Sequence, residues 1–503
     1  MELLANLAKG FEAALAPEPL LFCFIGVTIG TFVGALPGVG AMAAVAICLP
    51  ITFYLDPMVA LIMLAGIFYG AQYGSSIASI LLNIPGTVTA AVTCLDGYPL
   101  TKQGRAGPAL FITTITSFVG GSIAILLLMC FAPLIAAFAL RFSSAEYFSI
   151  MLLGLVAGST LALGSPLKGL AMVVLGVALG IVGTDINTGM SRFTFGVLDL
   201  RDGLNLVAVA MGLFGVAEIL ASVGRGRTVV VDPKSINMRS LIPTRQDIRE
   251  SIMPTLRGTA VGSAIGALPG SGAVIATFMS YALEKRVSRN PAKFGRGAIE
   301  GIAAPEAANN AAVQAAFIPT LSLGIPGDAL TAVLLGAMMI HGIVPGPQFI
   351  TEHAVTFWGL VASFWIGNVL LLVLNIPLIG IWVRLLAIPY HLLYPATLFF
   401  ICIGVYAINN NVFDIYTAIA FGAIGYLMSS YQYPAAPLLL GFILGPMMEE
   451  HLKRALLISQ GDFMVFLQRP ISLTFLLVTT LLLLLAARPF FKSALARTRA
   501  AQL

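Results

Sequence analysis

Four Pro-Gly pairs interrupt otherwise apolar sequence: Leu36-Pro37-Gly38, Ile84-Pro85-Gly86, Leu268-Pro269-Gly270 and Ile325-Pro326-Gly327. Small and neutral polar residues gather around them. Gly38, Gly40, Ser75, Ser76, Asn83, Pro85, Gly86 and Thr87 accompany the first two pairs, and Gly270, Ser271, Gly272, Asn309, Asn310, Thr320, Pro326 and Gly327 the last two. Backbone that unwinds at such breaks presents carbonyl oxygens to a cation and helix N-terminal N–H groups to an anion. A Na⁺ ion would take Asn83, Asn310 and backbone carbonyls near Gly38 and Gly270 as oxygen ligands. No Lys or Arg lies near these tips. A carboxylate held there would have its charge met by helix ends, hydroxyls, amides and a co-bound cation. Tight helix packing explains any single glycine as well, because small residues are favoured where helices touch in lipid. The paired breaks favour the binding reading, since they cost backbone hydrogen bonds without improving packing.

Other chemistry finds little to work with. The four histidines are scattered, with no metal-ligand spacing, nucleophile elbow or Walker-type motif. No catalytic residue and no resident cofactor are expected, and the chain should not be an enzyme. The five cysteines, Cys23, Cys48, Cys94, Cys130 and Cys402, stand in apolar surroundings and read as small hydrophobes. Four acids lie in apolar context. Glu306 and Glu218 should be buried, whereas Asp185 and Asp328 should lie at interfaces.

The elements that must carry these residues are membrane helices. Of 503 residues 58% are hydrophobic and 10% charged, against about 25% charged in soluble domains. No Lys or Arg occurs between Lys9 and Lys102, nor between Arg296 and Arg384. Each stretch exceeds several-fold the roughly 20 residues of one crossing. The net charge of +5 is spread along the chain, which fits orientation in a bilayer and not a nucleic-acid footprint. Glu2, Glu12 and Glu18 precede the first apolar run without a basic region, so no cleaved signal is expected there.

The sequence is duplicated. Residues 30–41 match residues 262–273 at eight of twelve positions, and residues 82–92 match 323–333 at six of eleven. The offsets are 232 and 241. The order is the same in both halves, which divides the chain into a first repeat (1–224), a basic linker (225–257) and a second repeat (258–503). The linker carries seven Lys/Arg against three acids, and the loop from Glu284 to Arg296 carries five basic residues. Both should be cytoplasmic. The 26 residues from Gly258 to Leu283 then start and end on one side and should form a re-entrant hairpin broken at Pro269-Gly270. Lys102 and Arg105 follow the break at Pro85, whereas only His341, Glu352 and His353 follow the break at Pro326. The charge bias thus changes sides between the repeats, as inverted-topology repeats require. Further spans are expected near 109–131, 146–164, 167–184, 204–223, 355–375, 390–408, 413–430, 434–448 and 471–487, with the C-terminal tail cytoplasmic. The expected fold is all-α and polytopic: two inverted repeats with re-entrant hairpins and broken transmembrane helices.

At its motifs the chain resembles the large membrane subunit of the tripartite tricarboxylate transporter family. The resemblance rests on Gly34-Ala-Leu-Pro-Gly38, Tyr73-Gly-Ser-Ser76, Leu81-Leu-Asn-Ile-Pro-Gly86, Asp96-Gly-Tyr-Pro-Leu-Thr-Lys-Gln-Gly-Arg105, Gly183-Thr-Asp185, Arg192-Phe-Thr-Phe-Gly196 and Pro305-Glu-Ala-Ala-Asn-Asn-Ala311. Ile186 follows Asp185 where the family usually shows proline, a departure placed in a loop. The resemblance implies a multi-pass secondary transporter of the bacterial inner membrane. It would work with a small four-helix membrane subunit and a periplasmic solute-binding protein, and import a di- or tricarboxylate such as citrate on a Na⁺ or H⁺ gradient. Elevator-type architecture follows by analogy of the hairpins. A stand-alone permease, exporter or channel is the alternative. A channel would want a continuous polar lining, which the basic-free stretches do not offer, and a membrane-embedded enzyme would need an ionisable cluster that the sequence does not assemble.

Overall fold

A computed structural model describes residues 2–36, 41–83, 85–160, 165–185, 189–222, 241–268, 272–385 and 390–500. Gly38, Gly40, Gly270, Ser271 and residues 225–240 of the linker lie outside the described residues.

Apolar runs punctuated by Gly and Pro give an almost wholly helical chain. From the N-terminus come α1 (Glu2–Ala14), α2 (Pro17–Ala35), α3 (Ala41–Thr52) and α4 (Pro57–Leu82), then a single turn Val88–Ala90, α5 (Ala91–Lys102) and α6 (Ala106–Ala139). Next are α7 (Ser144–Thr160), α8 (Pro166–Gly180), a ribbon of β1 (Gly183–Thr184) and β2 (Ser191–Arg192), and α9 (Leu206–Ala210). A wider turn, Met211–Val216, carries α9 into α10 (Ala217–Ser222). The second half follows with α11 (Arg245–Gly266), α12 (Gly272–Val287), α13 (Glu300–Leu323), α14 (Ala329–Ile340), α15 (Pro347–Glu352) and α16 (Ala354–Asn375). The chain closes with α17 (Ile379–Leu385), α18 (Tyr390–Asn409), α19 (Val412–Ser430), α20 (Ala435–Ile458), α21 (Val465–Gln468) and α22 (Pro470–Ala500). Five described helices, α2, α4, α6, α16 and α19, are long and apolar enough to cross a membrane.

Two compact units divide the described chain, and they cut across the sequence halves: residues 1–137, 205–268 and 272–426 form one, residues 138–204 and 427–503 most of the other. In the larger unit the duplication is a duplication of packing. Gly26, Gly30 and Gly34 of α2 lie against the backbone of Met63, Ile67 and Ala71 of α4, and Gly258, Gly262 and Gly266 of α11 lie against Ala304, Ala308 and Ala312 of α13. The two sets are related by the same offsets, 232 and 241, that align the sequences. A methyl group at any of the six would fall 2.1–2.4 Å from a facing backbone atom. Glycine every fourth residue therefore lets each helix pair approach backbone to backbone, the arrangement by which helices associate without a hydrophobic driving force.

The hairpin helices α11 and α12 pack on each other and meet at Gly266 and Gly272. Their lengths are 22 and 16 residues. The legs are longer than the sequence suggests because α11 begins at Arg245, before the uncharged segment. There Thr244 and Asp247 cap each other's backbone N–H groups, at 3.2 and 3.0 Å. Arg257 and Glu284 then bridge the two legs at 2.6 Å.

In the smaller unit α8 packs on α20 through glycines on both sides, Gly176 and Gly180 against Leu438 and Phe442, and Gly441 and Gly445 against Val173 and Val177. An ion-pair chain ties its ribbon to α20: Arg192 to Glu449 at 2.7 Å, Lys453 to Glu449 and to Asp185 at 2.9 Å. Arg469 meets the buried Glu146 of α7 at 2.7 Å.

Candidate functional site

Both long second helices of the repeat, α4 and α13, end on a left-handed residue, Asn83 (φ 57°) and Gly324 (φ 70°), again 241 positions apart. Asparagine and glycine are the residues that adopt this conformation readily. Asn83 is exposed. Beyond each cap the chain folds back over its own helix. Gly86 sits so close that a methyl would fall 2.0 Å from the Gly34 carbonyl oxygen and 2.9 Å from Ser75 Cα, and Gly327 takes the matching place, 2.6 Å from Ala316 Cβ. Pro85 and Pro326 precede these glycines and bring no N–H that would need a partner.

The polar side chains sort into two groups. Some satisfy their own helices. Ser75 donates to the Gln72 carbonyl at 2.8 Å, Asn310 to the Glu306 carbonyl at 3.1 Å, and Thr320 to the Ala316 carbonyl at 2.6 Å while accepting the Gly327 N–H at 3.3 Å. Thr320 thereby pins the second break to its helix. Asp328 does the same for α14, exchanging hydrogen bonds with Thr331 at 2.8 and 2.9 Å.

The others converge beside the Pro85-Gly86 break. Gln72 Oε1 of α4 accepts from Thr89 at 2.8 Å, from Asn309 Nδ2 of α13 at 3.3 Å and, at the limit, from Thr87 at 3.5 Å. Thr87 and Thr89 lie 2.8 Å apart. Asn309 is buried, and its Oδ1 has no partner among the described residues. One turn earlier on α13, Glu306 is 1% exposed and accepts hydroxyl bonds from Ser76 at 2.7 Å, Ser117 at 3.4 Å and Thr93. The burial expected of Glu306 is thus seen. Glu218 is only partly buried. Of the sequence-derived residues, Thr87 and Asn309 come together at Gln72, with residues of both halves in one polar patch, while Ser76 bonds to Glu306 one turn away. Gly272 stands instead at the α11–α12 hairpin.

Gln72, Thr93 and Ser117 could not be singled out from the sequence, because a lone neutral polar residue in an apolar helix has no spacing signal. Asp96 carried one, its place in the Asp96–Arg105 motif, but no role. It is fully buried, and its Oδ1 accepts the backbone N–H groups of Gly295, Gly297 and Ala298, each at 2.8 Å, while Tyr281 donates to Oδ2 at 2.9 Å. The same motif sends Gln103 to the Arg296 carbonyl at 2.8 Å and Arg105 to Asp247 at 2.5 Å. Burial pushes the Asp247 carboxyl up, yet hydrogen bonds from Arg105 and Thr244 outweigh it and hold the group below the usual carboxylate range. Glu250 nearby is lowered in the same way by Lys293 and Gln246 against its own burial.

The profile of the tripartite tricarboxylate transporter TctA family matches residues 20–440. The chain belongs to this family. The TctA family is that of the large membrane subunit of tripartite tricarboxylate transporters, so the chain is a multi-pass membrane protein of a transporter family. It is 49% identical over 493 residues to an uncharacterized 52.8 kDa protein in the TAR-I ttuC' 3' region of Agrobacterium vitis, covering 98% of each chain. A second Agrobacterium vitis protein, uncharacterized and in the TAR-II ttuC' 3' region, is 53% identical over 232 residues, which is 46% of this chain and 96% of that one. No solved structure matches. Both halves of the polar patch, the glycine ladders and the Asp96 clasp of this TctA-family chain fall inside the matched region.

Proposed function

We propose that the chain is the translocating subunit of a binding-protein-dependent secondary transporter in a bacterial inner membrane, importing an organic di- or tricarboxylate on a cation gradient. A periplasmic solute-binding protein delivers the substrate, and a small four-helix membrane subunit completes the complex. The observation that carries this reading is the polar patch at the Pro85-Gly86 break: Gln72, Thr87, Thr89 and Asn309 offer neutral donors and acceptors from both halves, with one buried amide oxygen unpartnered. A buried polar atom left unpaired costs on the order of 1–3 kcal/mol, a cost that a ligand binding there would remove. No basic side chain bonds to the patch among the described residues, so an anion would bring a Na⁺ or H⁺ with it.

The repeats operate as inverted halves that move a central site in the manner of elevator transporters. Supporting this, the loops of the two halves lie crosswise. Gln103 and Arg105, which follow the first break, stand at Arg296 and Asp247 of the second hairpin. His341, which follows the second break, stands within reach of the Asp56 charge, before α4. Asp56 and Gly297 are equivalent by the offset of 241, so each loop neighbours its non-equivalent in the other half.

The test is uptake of radiolabelled citrate and related carboxylates into proteoliposomes holding this chain, the small subunit and the binding protein, with and without Na⁺ and pH gradients. Uptake that needs neither partner points to the stand-alone permease instead, and no uptake of any carboxylate removes the reading.

A further inference from the structure

The Glu306 carboxyl is enclosed by three hydroxyls from three helices: Ser76 of α4, Thr93 of α5 and Ser117 of α6. Among the described residues no Lys, Arg or His forms an ion pair with it. The titratable groups facing it are Tyr73 from α4 and Cys94 from α5, and neither supplies positive charge. The other elements packed on α13, namely α11, α12, α14, α15 and the Val88–Ala90 turn, bring no charge to bear on it. An ionised carboxylate in this place is a buried charge without a counter-ion, an arrangement tolerated in a membrane only where it serves function.

We propose that Glu306 is the binding site of a coupling proton. The step is the simplest one available: the carboxylate takes up H⁺ to become the neutral acid and releases it on the way back, with no other bond changed. Hydroxyls suit both states, since each donates to the carboxylate and turns to accept from the acid O–H. A guanidinium or ammonium could do only the first. A metal cation fits less well, because it needs a shell of oxygen lone pairs aimed at one point. Here the three hydroxyls direct hydrogens at the carboxylate, and the unpartnered buried oxygens that α13 itself carries, among the described residues, are Asn309 Oδ1 and Gln314 Oε1, outside this cluster.

The position explains how a proton would be felt. Ser76 precedes the Pro85-Gly86 break and Thr93 follows it, so Glu306 joins the two flanks of that break to α13. Ser75, beside Ser76, is the residue on which Gly86 rests. Changing the charge of Glu306 changes how strongly both flanks are held, next to the patch read as the substrate site. The inference rests on the transporter reading for its coupling role, though proton binding itself does not.

Two measurements separate these. In the purified complex, infrared difference spectra across pH should show a carboxyl C=O band in the wild type that is absent from Glu306→Gln, and Ser117→Ala should shift the midpoint of that band. In proteoliposomes, Glu306→Gln should lower pH-gradient-driven accumulation of radiolabelled citrate or the best-transported carboxylate by about tenfold or more, while one-for-one exchange continues. A band that persists in the Gln variant overturns the proposal. So does a Gln variant that accumulates substrate like the wild type under a pH gradient, or wild-type accumulation driven by Na⁺ alone at equal pH. If the wild type moves no carboxylate at all, the transporter reading falls, and the infrared band by itself decides whether Glu306 binds a proton.

Discussion

Asp96, on α5, accepts the backbone N–H of Gly297 at 2.8 Å, across 201 residues of chain. With Gly295 and Ala298 bonded to the same oxygen, one carboxylate sets the conformation of a loop in the other half. Gly295 and Gly297 both have positive φ, 82° and 102°, which glycine allows and which turns three N–H groups toward one point. Asp96→Ala should leave the buried N–H groups of Gly297 and Ala298 unpaired, at about 1–3 kcal/mol each. The expected outcome is a large drop in thermal stability of the detergent-purified protein, with Asp96→Asn intermediate, since it keeps one acceptor. An Ala variant as stable as the wild type would remove the clasp.

The glycine ladders make a second prediction. Gly30→Leu and Gly262→Leu each force a side chain into a facing helix backbone and should abolish recovery of monodisperse protein in size-exclusion chromatography. Gly380→Ala is the control, because nothing lies within 4 Å of a methyl there. Equal recovery of all three would mean that the helix pairs are not in close contact.

Acid should loosen the start of α11. The Asp247 carboxyl is held below the usual carboxylate range, so its contribution is present above that range and is lost as pH falls through the lowered folded-state value. The protection of the first turn of α11 against hydrogen exchange, taken relative to the intrinsic rate at each pH, should therefore fall as the buffer is acidified. In Asp247→Asn that protection should be low already at neutral pH and change little on acidification. Parallel profiles for the two proteins would sink the assignment.

Within the polar patch, residues bonded across helices should matter more than those bonded to their own. Asn309→Ala and Gln72→Ala should reduce carboxylate uptake about tenfold or more, the equivalent of about 1.4 kcal/mol. Ser75→Ala, which gives up only a bond to the Gln72 carbonyl within its own helix, should change it by less than that. Uptake kinetics in which Ser75→Ala is the most damaging of the three would reverse the order of importance.

Orientation can be read by labelling single cysteines in intact cells with an impermeant reagent. Cysteines replacing Asp56 and His353 should react from the periplasm, and those replacing Arg105 and Arg289 should not. Reaction of Arg289→Cys and His353→Cys from the same side would exclude inverted repeats.

Much of this architecture was written locally. The Pro-Gly breaks, the basic-free apolar runs and the duplication at offsets of 232 and 241 each depend on residue types within one segment, and helix geometry turns them into helix ends, crossings and matched glycine ladders. The burial of Glu306 was legible too, because a carboxylate midway along an apolar helix has few other places to go. Which groups surround it was not. Ser76, Thr93 and Ser117 are unremarkable small polar residues until three helices bring them to one carboxyl, and Asn309 meets Gln72 only because α13 lies on α4 at that level. The Asp96 motif announced itself but not its partners, which are backbone N–H groups and so leave no trace in residue type. Neighbours in sequence also part company in the fold: Asn83 ends a helix in a left-handed turn, whereas Thr87, four residues on, reaches the patch. Sequence specifies what a segment can do alone; contacts between segments separated by hundreds of residues carry no periodicity, and only the folded chain decides them.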